Sequence, residues 1–66
     1  MDNKEIFEIM VSDWLADNAE EMADLEIGEA YQNEAGEWVA DAEDAKCAYI
    51  LVAVAGDVEI RYVGAK

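Results

Sequence analysis

The apolar segment CAYILVAVA, residues 47–55, is the feature that most limits what this chain can fold into. A short turn, AGD, separates it from a second segment of strand character, VEIRYVG. Two runs rich in β-branched and aromatic residues, joined by a short turn that contains glycine, are typical of a β-hairpin. The sequence therefore predicts that residues 47–64 form the last two antiparallel strands of a sheet.

The length of this turn decides which face of the hairpin is buried. A two-residue loop, Gly56–Asp57, would set the valines of the first strand beside charged residues of the second. A three-residue loop, 55–57, instead pairs Val54 with Val58 and gathers the β-branched residues on one face. Because register follows the buried face, we predict the three-residue loop, with a buried face that carries Ile50, Val52 and Val54.

The opposite face of the predicted hairpin displays Tyr49, Leu51 and Val63. A contiguous apolar patch on a small protein suggests a contact with a second copy or another partner. A partly solvated sheet face is the alternative, since single exposed apolar residues are common. These three residues are the candidate apolar interface.

Two more strands are predicted upstream. The segments LEIGEAYQ and EWVAD flank a turn-rich stretch, Asn33–Gly36, which indicates a second hairpin. Gly28 interrupts the alternation of the first segment, which indicates either a β-bulge or a strand that starts later. The polar segment DAEDA, residues 41–45, then connects this hairpin to the next strand.

The N-terminal part of the chain has the pattern of a helix. Asp2 can cap it, with Glu5 three residues later in a capping-box arrangement. At 100° per residue one arc collects apolar side chains: Phe7, Met10, Val11, Trp14, Leu15, Met22 and Leu25. A break near Asp17–Asn18 would give two short helices in place of one. The predicted fold class is α+β, one domain of residues 1–66, with an N-terminal helix, continuous or broken in two, on an antiparallel sheet of three or four strands.

The charge is strongly uneven. The chain has 17 acidic and 4 basic residues, a net charge of −13. Residues 1–44 hold fifteen acids and one base (−14), whereas residues 45–66 hold two acids and three bases (+1). Such a protein is repelled by nucleic acid and by anionic membranes, so its expected partners are cations or basic proteins. The single Cys47, the lack of a membrane-length apolar run and the acidic N-terminus favour a cytoplasmic location.

Side chains that support catalysis are scarce. There is no histidine or threonine and one serine, and Cys47 has no neighbouring base to activate it. The acids from Glu34 to Asp44 lack the alternating order of a calcium-binding loop. We therefore expect no enzymatic activity, no cofactor and no metal site.

The acids themselves are the candidate site. Asp13, Asp17, Glu20 and Asp24 have the spacing of one row on a helix, with acids four apart separated by about 6 Å along the axis. Such a row, joined by acids of the hairpin, could occupy a groove of Lys and Arg built for phosphates. The net negative charge is larger than a small domain needs for solubility. This excess favours partner binding over the alternative that the acids only keep the protein soluble. The candidate partner-binding residues are Asp13, Asp17, Glu20, Glu21, Asp24, Glu34, Glu37, Asp41, Glu43 and Asp44.

In size, acidity and the order of helix before strands, the whole chain resembles the small acidic inhibitors of bacterial defence encoded by phages and mobile elements. It is most similar to anti-CRISPR proteins directed at type I systems, some of which are described as DNA mimics. The resemblance implies that the protein blocks target-DNA binding by the crRNA-guided surveillance complex, with DWLADNAEEMAD and DAED facing its basic subunits. Two alternatives remain: an acidic inhibitor of another nucleic-acid enzyme, such as a restriction or repair enzyme, or a small homodimeric regulatory or assembly subunit.

Overall fold

A computed structural model describes residues 2–66 and begins with one helix. Helix α1 spans Asn3–Asp17. Asp2 caps it as predicted, because its side-chain Oδ1 accepts a hydrogen bond from the Glu5 N–H at 2.8 Å. This bond satisfies one of the N–H groups that the first turn of a helix leaves without a partner.

Four strands follow the helix and form one antiparallel sheet. They are β1 (Glu26–Gln32), β2 (Trp38–Glu43), β3 (Cys47–Val54) and β4 (Asp57–Ala65). Their order in the sheet, β1-β2-β3-β4, is their order in the chain. The α+β fold class predicted from the sequence is confirmed, with four strands and a single helix in the described residues 2–66.

The helix is shorter than its apolar pattern suggested. It ends at Asp17, and Asn18 caps it by donating from its side-chain Nδ2 to the Trp14 carbonyl at 2.8 Å. Residues 18–24 form turns and no second helix. Met22 and Leu25 nevertheless reach the core from this connection and its end, Leu25 with only 8% of its surface exposed.

The first hairpin matches its prediction. The turn at Asn33–Gly36 is closed by a hydrogen bond from the Asn33 N–H to the Glu37 carbonyl at 3.0 Å. The register of β1 against β2 shifts between Ile27 and Ala30, so the bulge expected at Gly28 is present. The connection predicted at 41–45 is shorter, because β2 continues through Glu43.

The turn between β3 and β4 differs from both registers considered above. Its two-residue loop is Ala55–Gly56, and Val54 pairs with Asp57. Both loop residues have positive φ, 51° and 84°, as hairpin turns matched to the strand twist require. The predicted three-residue loop is therefore wrong, and the pairing is shifted by one residue.

That shift reverses the faces of β3. Leu51 is fully buried on the helix side, where it belongs to one cluster with Phe7 and Val11. Tyr49 also packs against this cluster. The prediction that the Ile50, Val52 and Val54 face lies under the helix is wrong, since a one-residue slip moves every side chain to the other face.

Small side chains let the helix lie close to the sheet. The cluster beneath it contains Ala30, Ala40 and Ala42 as well as the larger Phe7 and Leu51. The opposite sheet face has its own buried pair, Val39 and Val52, which are partners across β2 and β3. Apolar side chains are thus buried on both sides of the sheet.

Candidate functional site

The predicted row of acids along one helix is interrupted. Asp13 and Asp17 lie on α1, but Glu20 and Asp24 lie in the turns that follow it. The cause is Asn18, whose amide and backbone N–H both bond to carbonyls of the last helical turn. A continuous helical row through Asp24 is therefore wrong.

The turns after α1 bring a different group of acids together. Glu20, Glu21 and Asp24 line an open hollow with Asp44 and Lys46.

An adjoining hollow shares Asp24 and Asp44 with the first and adds Glu26, Glu43 and Lys66. Two chain segments thus supply one group: the α1–β1 connection with the start of β1, and the end of β2 with the residue that follows it. We call this group the acidic end; it consists of Glu20, Glu21, Asp24, Glu26, Glu43 and Asp44.

Asp44 is the best-fixed carboxylate of the acidic end. Its Oδ1 accepts hydrogen bonds from the backbone N–H groups of Lys46 at 2.8 Å and Cys47 at 2.7 Å. Its Oδ2 accepts one from the Tyr49 hydroxyl at 3.3 Å. The Lys46 and Cys47 N–H groups, helped by Tyr49 and the charge of Lys66, hold the pKa of Asp44 below its ordinary value. Asp44 is therefore a turn-forming residue that also carries a fixed negative charge.

Lysines neutralise part of the acidic end. Lys66 Nζ lies 3.1 Å from Glu43 Oε2, and Lys46 borders the first hollow. Six carboxylates against these two ammonium groups leave a formal charge of −4. Glu26 and Glu43 are also direct partners across β1 and β2, a placement of like charges that weakens a sheet.

The other predicted acids lie elsewhere. Asp13 and Asp17 border a hollow together with Asp57, at the turn between β3 and β4. Glu34 and Glu37 belong to the turn between β1 and β2, and Glu37 accepts a hydrogen bond from the Asn33 side chain at 3.2 Å.

Strand β2 separates Glu37 from Asp44. Seven steps along an extended chain, at about 3.3 Å each, put these two residues about 23 Å apart. Asp41 lies midway along β2, on the face away from the helix, and accepts a hydrogen bond from Tyr31 at 3.2 Å. The ten predicted acids thus form several groups and not one surface.

Four charged members of these groups are absent from the candidate residues predicted from the sequence: Glu26, Lys46, Asp57 and Lys66. Asp57 joins Asp13 and Asp17 because the two-residue loop starts β4 at Asp57, and a correct turn assignment would have indicated it. Lys66 reaches the acidic end because β4 returns beside the start of β3, where the Lys66 N–H bonds to the Lys46 carbonyl at 2.9 Å.

The candidate apolar interface of Tyr49, Leu51 and Val63 does not exist as one patch. Leu51 is fully buried beneath α1 and Tyr49 packs against the same core, whereas Val63 is 64% exposed. The pairing of β3 with β4 shifts register at Val63. Ala48 pairs with Gly64 and Tyr49 pairs with Tyr62, so Val63 lies between the two pairs. Leu51 is therefore excluded as an interface residue by the packing of the helix.

Within residues 2–66, no three His, Cys, Asp or Glu side chains are placed to hold a metal ion. Over the same residues, none of the polar or charged side chains is buried. The helix described here is too short and too polar to cross a membrane.

Comparisons of the chain with protein-family models, with characterised proteins and with solved structures gave no significant match.

Proposed function

We propose that this protein is a non-enzymatic inhibitor of the anti-CRISPR type, which occupies the DNA-binding groove of a type I crRNA-guided surveillance complex. The observation that carries the proposal is the acidic end, where six carboxylates from two separate segments, residues 20–26 and 43–44, meet around two adjoining hollows. A groove of Lys and Arg that binds phosphates would find a comparable density of negative charge there.

The cost of this arrangement supports a functional role. Glu26 and Glu43 oppose each other across two strands, where like charges destabilise the pair. Five of the six acids are exposed, and the sixth, Asp44, is fixed by three hydrogen bonds. Asp44 is therefore held in place before binding and loses little conformational entropy when a partner binds.

The net charge of −13 acts over a longer range than the individual contacts. It would steer the protein towards a basic groove and raise the association rate, more strongly at low salt. The same field would repel nucleic acid, so the partner in this proposal is the protein complex and not DNA. The protein would act in the cytoplasm of the bacterial host, without a cofactor.

An acidic inhibitor of a restriction or repair enzyme would use the same surface, and the experiment below separates the targets. A homodimeric assembly subunit that pairs through Tyr49, Leu51 and Val63 has lost its support, because Leu51 is fully buried.

The test is competition for DNA. A purified type I surveillance complex is incubated with fluorescently labelled target duplex and increasing protein, and bound DNA is measured by anisotropy. We expect displacement that weakens steeply as salt is raised from about 50 to about 200 mM. A restriction endonuclease and a repair glycosylase are assayed in parallel, since displacement from one of these alone would identify a different target.

Charge reversal locates the surface. The double variant Glu20→Lys and Asp24→Lys reverses two of the six acids of the acidic end and should abolish displacement. The matched control reverses Glu34 and Glu37, at the far end of β2, and should retain most of it. If the two variants are equally affected, or if wild-type protein displaces no DNA, the proposal is wrong.

A further inference from the structure

Strand β4 is an unpaired edge of the sheet. It is nine residues long, lies last in the strand order and contains no proline. Tyr62 and Val63, on this strand, are 65% and 64% exposed. Long edge strands with unpaired backbone groups are templates for pairing with another strand.

The other edge, β1, is interrupted at Gly28, whereas β4 pairs regularly from Asp57 to Tyr62 and shifts register only at Val63. A bulge at Gly28 interrupts β1, and Glu26 and Glu29 add charge to it. Glu29 also forms an ion pair with Lys4 of α1. Bulges and charges are the devices that prevent pairing at a sheet edge.

The tight turn determines which backbone groups of β4 are free. Val54 and Asp57 flank a two-residue loop and form the first bonded pair of the hairpin. In an antiparallel pair the bonded positions alternate, so the N–H and C=O groups of Val58, Ile60 and Tyr62 point away from β3. The register remains regular through Tyr62, since the shift comes after it.

We propose that β4 pairs antiparallel with β4 of a second copy, about a two-fold axis at Ile60, so that two four-stranded sheets become one of eight strands. This register brings the three outward-pointing residues of each strand opposite one another: Val58 opposite the partner's Tyr62, and Ile60 opposite the partner's Ile60. Both strands would then satisfy their free backbone groups.

Charge selects this register. Glu59 lies opposite the partner's Arg61, and Arg61 opposite the partner's Glu59, which gives two attractive cross-strand pairs. Shifting the axis to Glu59 or to Arg61 would set two like charges directly against each other. Of these three registers, the axis at Ile60 is the one that sets no like charges directly opposite each other.

Charge also selects the partner. Residues 45–66 carry +1, whereas residues 1–44 carry −14. Strand β4 itself carries two acids and one base, so two copies of this protein repel each other less where β4 meets β4 than where their acidic ends meet. Glu59 and Arg61 already pair within one strand, with Arg61 Nη2 3.1 Å from Glu59 Oε2, so both side chains lie on one face and reach a neighbouring strand together.

The test measures mass in solution. Light scattering coupled to size-exclusion chromatography is run up to protein concentrations on the order of 1 mM, the range that reveals weak association. We expect the mass to rise from 7.3 kDa to twice that value. A mass of 7.3 kDa at every concentration, or a series of larger assemblies, would overturn the proposal.

Two single variants test the register. Glu59→Arg sets like charges opposite Arg61, and Arg61→Glu sets like charges opposite Glu59. Each should raise the dissociation constant by about tenfold or more, since two pairs change from attraction to repulsion. Far-ultraviolet circular dichroism checks that both variants remain folded.

Mixing the two variants is the decisive step. Glu59→Arg protein and Arg61→Glu protein are complementary to each other, so an equimolar mixture should recover the dimer. Glu34→Arg and Lys4→Glu, which make the same changes in net charge away from β4, should dimerise as the wild type does. If the single variants dimerise like these controls, or if the mixture stays monomeric, this pairing is wrong, while the proposed DNA mimicry is unaffected.

Discussion

Leu51 and Ile50 are neighbours on β3 that the fold places in opposite environments. Leu51 is fully buried in the cluster beneath α1. Ile50 is half-buried on the other face, where its strand partners are the charged residues Asp41 and Arg61. Replacing each by alanine therefore tests which face of the strand supports the helix.

The expected losses differ in size. Truncating a fully buried leucine to alanine costs about 2–5 kcal/mol, from lost burial and from the cavity that remains. Half the burial should cost Ile50→Ala about half as much. A domain of this length has a free energy of unfolding of only about 3–10 kcal/mol, so Leu51→Ala removes a large share of it.

Equilibrium unfolding in urea measures this difference. Trp14 and Trp38 are both partly buried against the core, so their fluorescence reports the transition. With a slope of about 1–1.5 kcal/mol per M, a loss of about 3 kcal/mol lowers the urea midpoint by about 2–3 M. If Leu51→Ala does not fold, Leu51→Val and Ile50→Val replace the pair. An equal or larger loss at Ile50 would refute the register described for β3 and β4.

Three further predictions concern local contacts. Asp2→Ala removes the helix N-cap and should cost about 1 kcal/mol, seen as a drop of about 4–8 °C in the melting temperature. Gly56→Ala should cost about 1 kcal/mol in urea unfolding because Gly56 has a φ of 84°, whereas Gly64→Ala, with open space around it and no positive φ, should change stability by less than about 0.5 kcal/mol. The Cys47 thiol, partial desolvation and the Asp44 carboxylate raise the pKa of Tyr49 from 10.0 to about 12, so its contribution to stability is complete below pH 10 and lost as the pH rises through 12. Melting temperatures across that range should fall less steeply in Tyr49→Phe, and equal slopes would contradict the assignment.

Local signals in the sequence were sufficient for most of the fold. Asp2 predicts the start of the helix because an N-cap needs only a side chain and an N–H three residues away. Gly28 predicts the bulge, and Asn33–Gly36 predicts the first turn, for similarly local reasons. The last hairpin was also recognised, with strands close to their observed bounds.

The register of that hairpin required information that alternation alone does not contain. Apolar residues occupy both faces of β3, since Leu51 and Val52 are adjacent and both are buried. The pattern of β-branched residues therefore selected the wrong face. The better guide was Gly56, whose tolerance of positive φ allows the two-residue turn with Ala55.

The candidate site depended on the same kind of non-local detail. An acidic surface could be predicted from the charge of residues 1–44, but its arrangement could not. Asn18 ends the helix, and the turns after it carry Glu20 and Asp24 to Asp44, twenty or more residues further along the chain. A helical projection of the sequence cannot show that these three residues lie close together.

The position of the helix has a consequence for the order in which the molecule is assembled. The backbone of α1 comes closest to β1 and to β4, the first and last strands of the sheet. Each strand pairs with the next one made, so the hairpins can close one after another during synthesis. The helix leaves the ribosome first, yet part of its docking surface does not exist until β4 has been added. The final strand therefore completes the attachment of the first element.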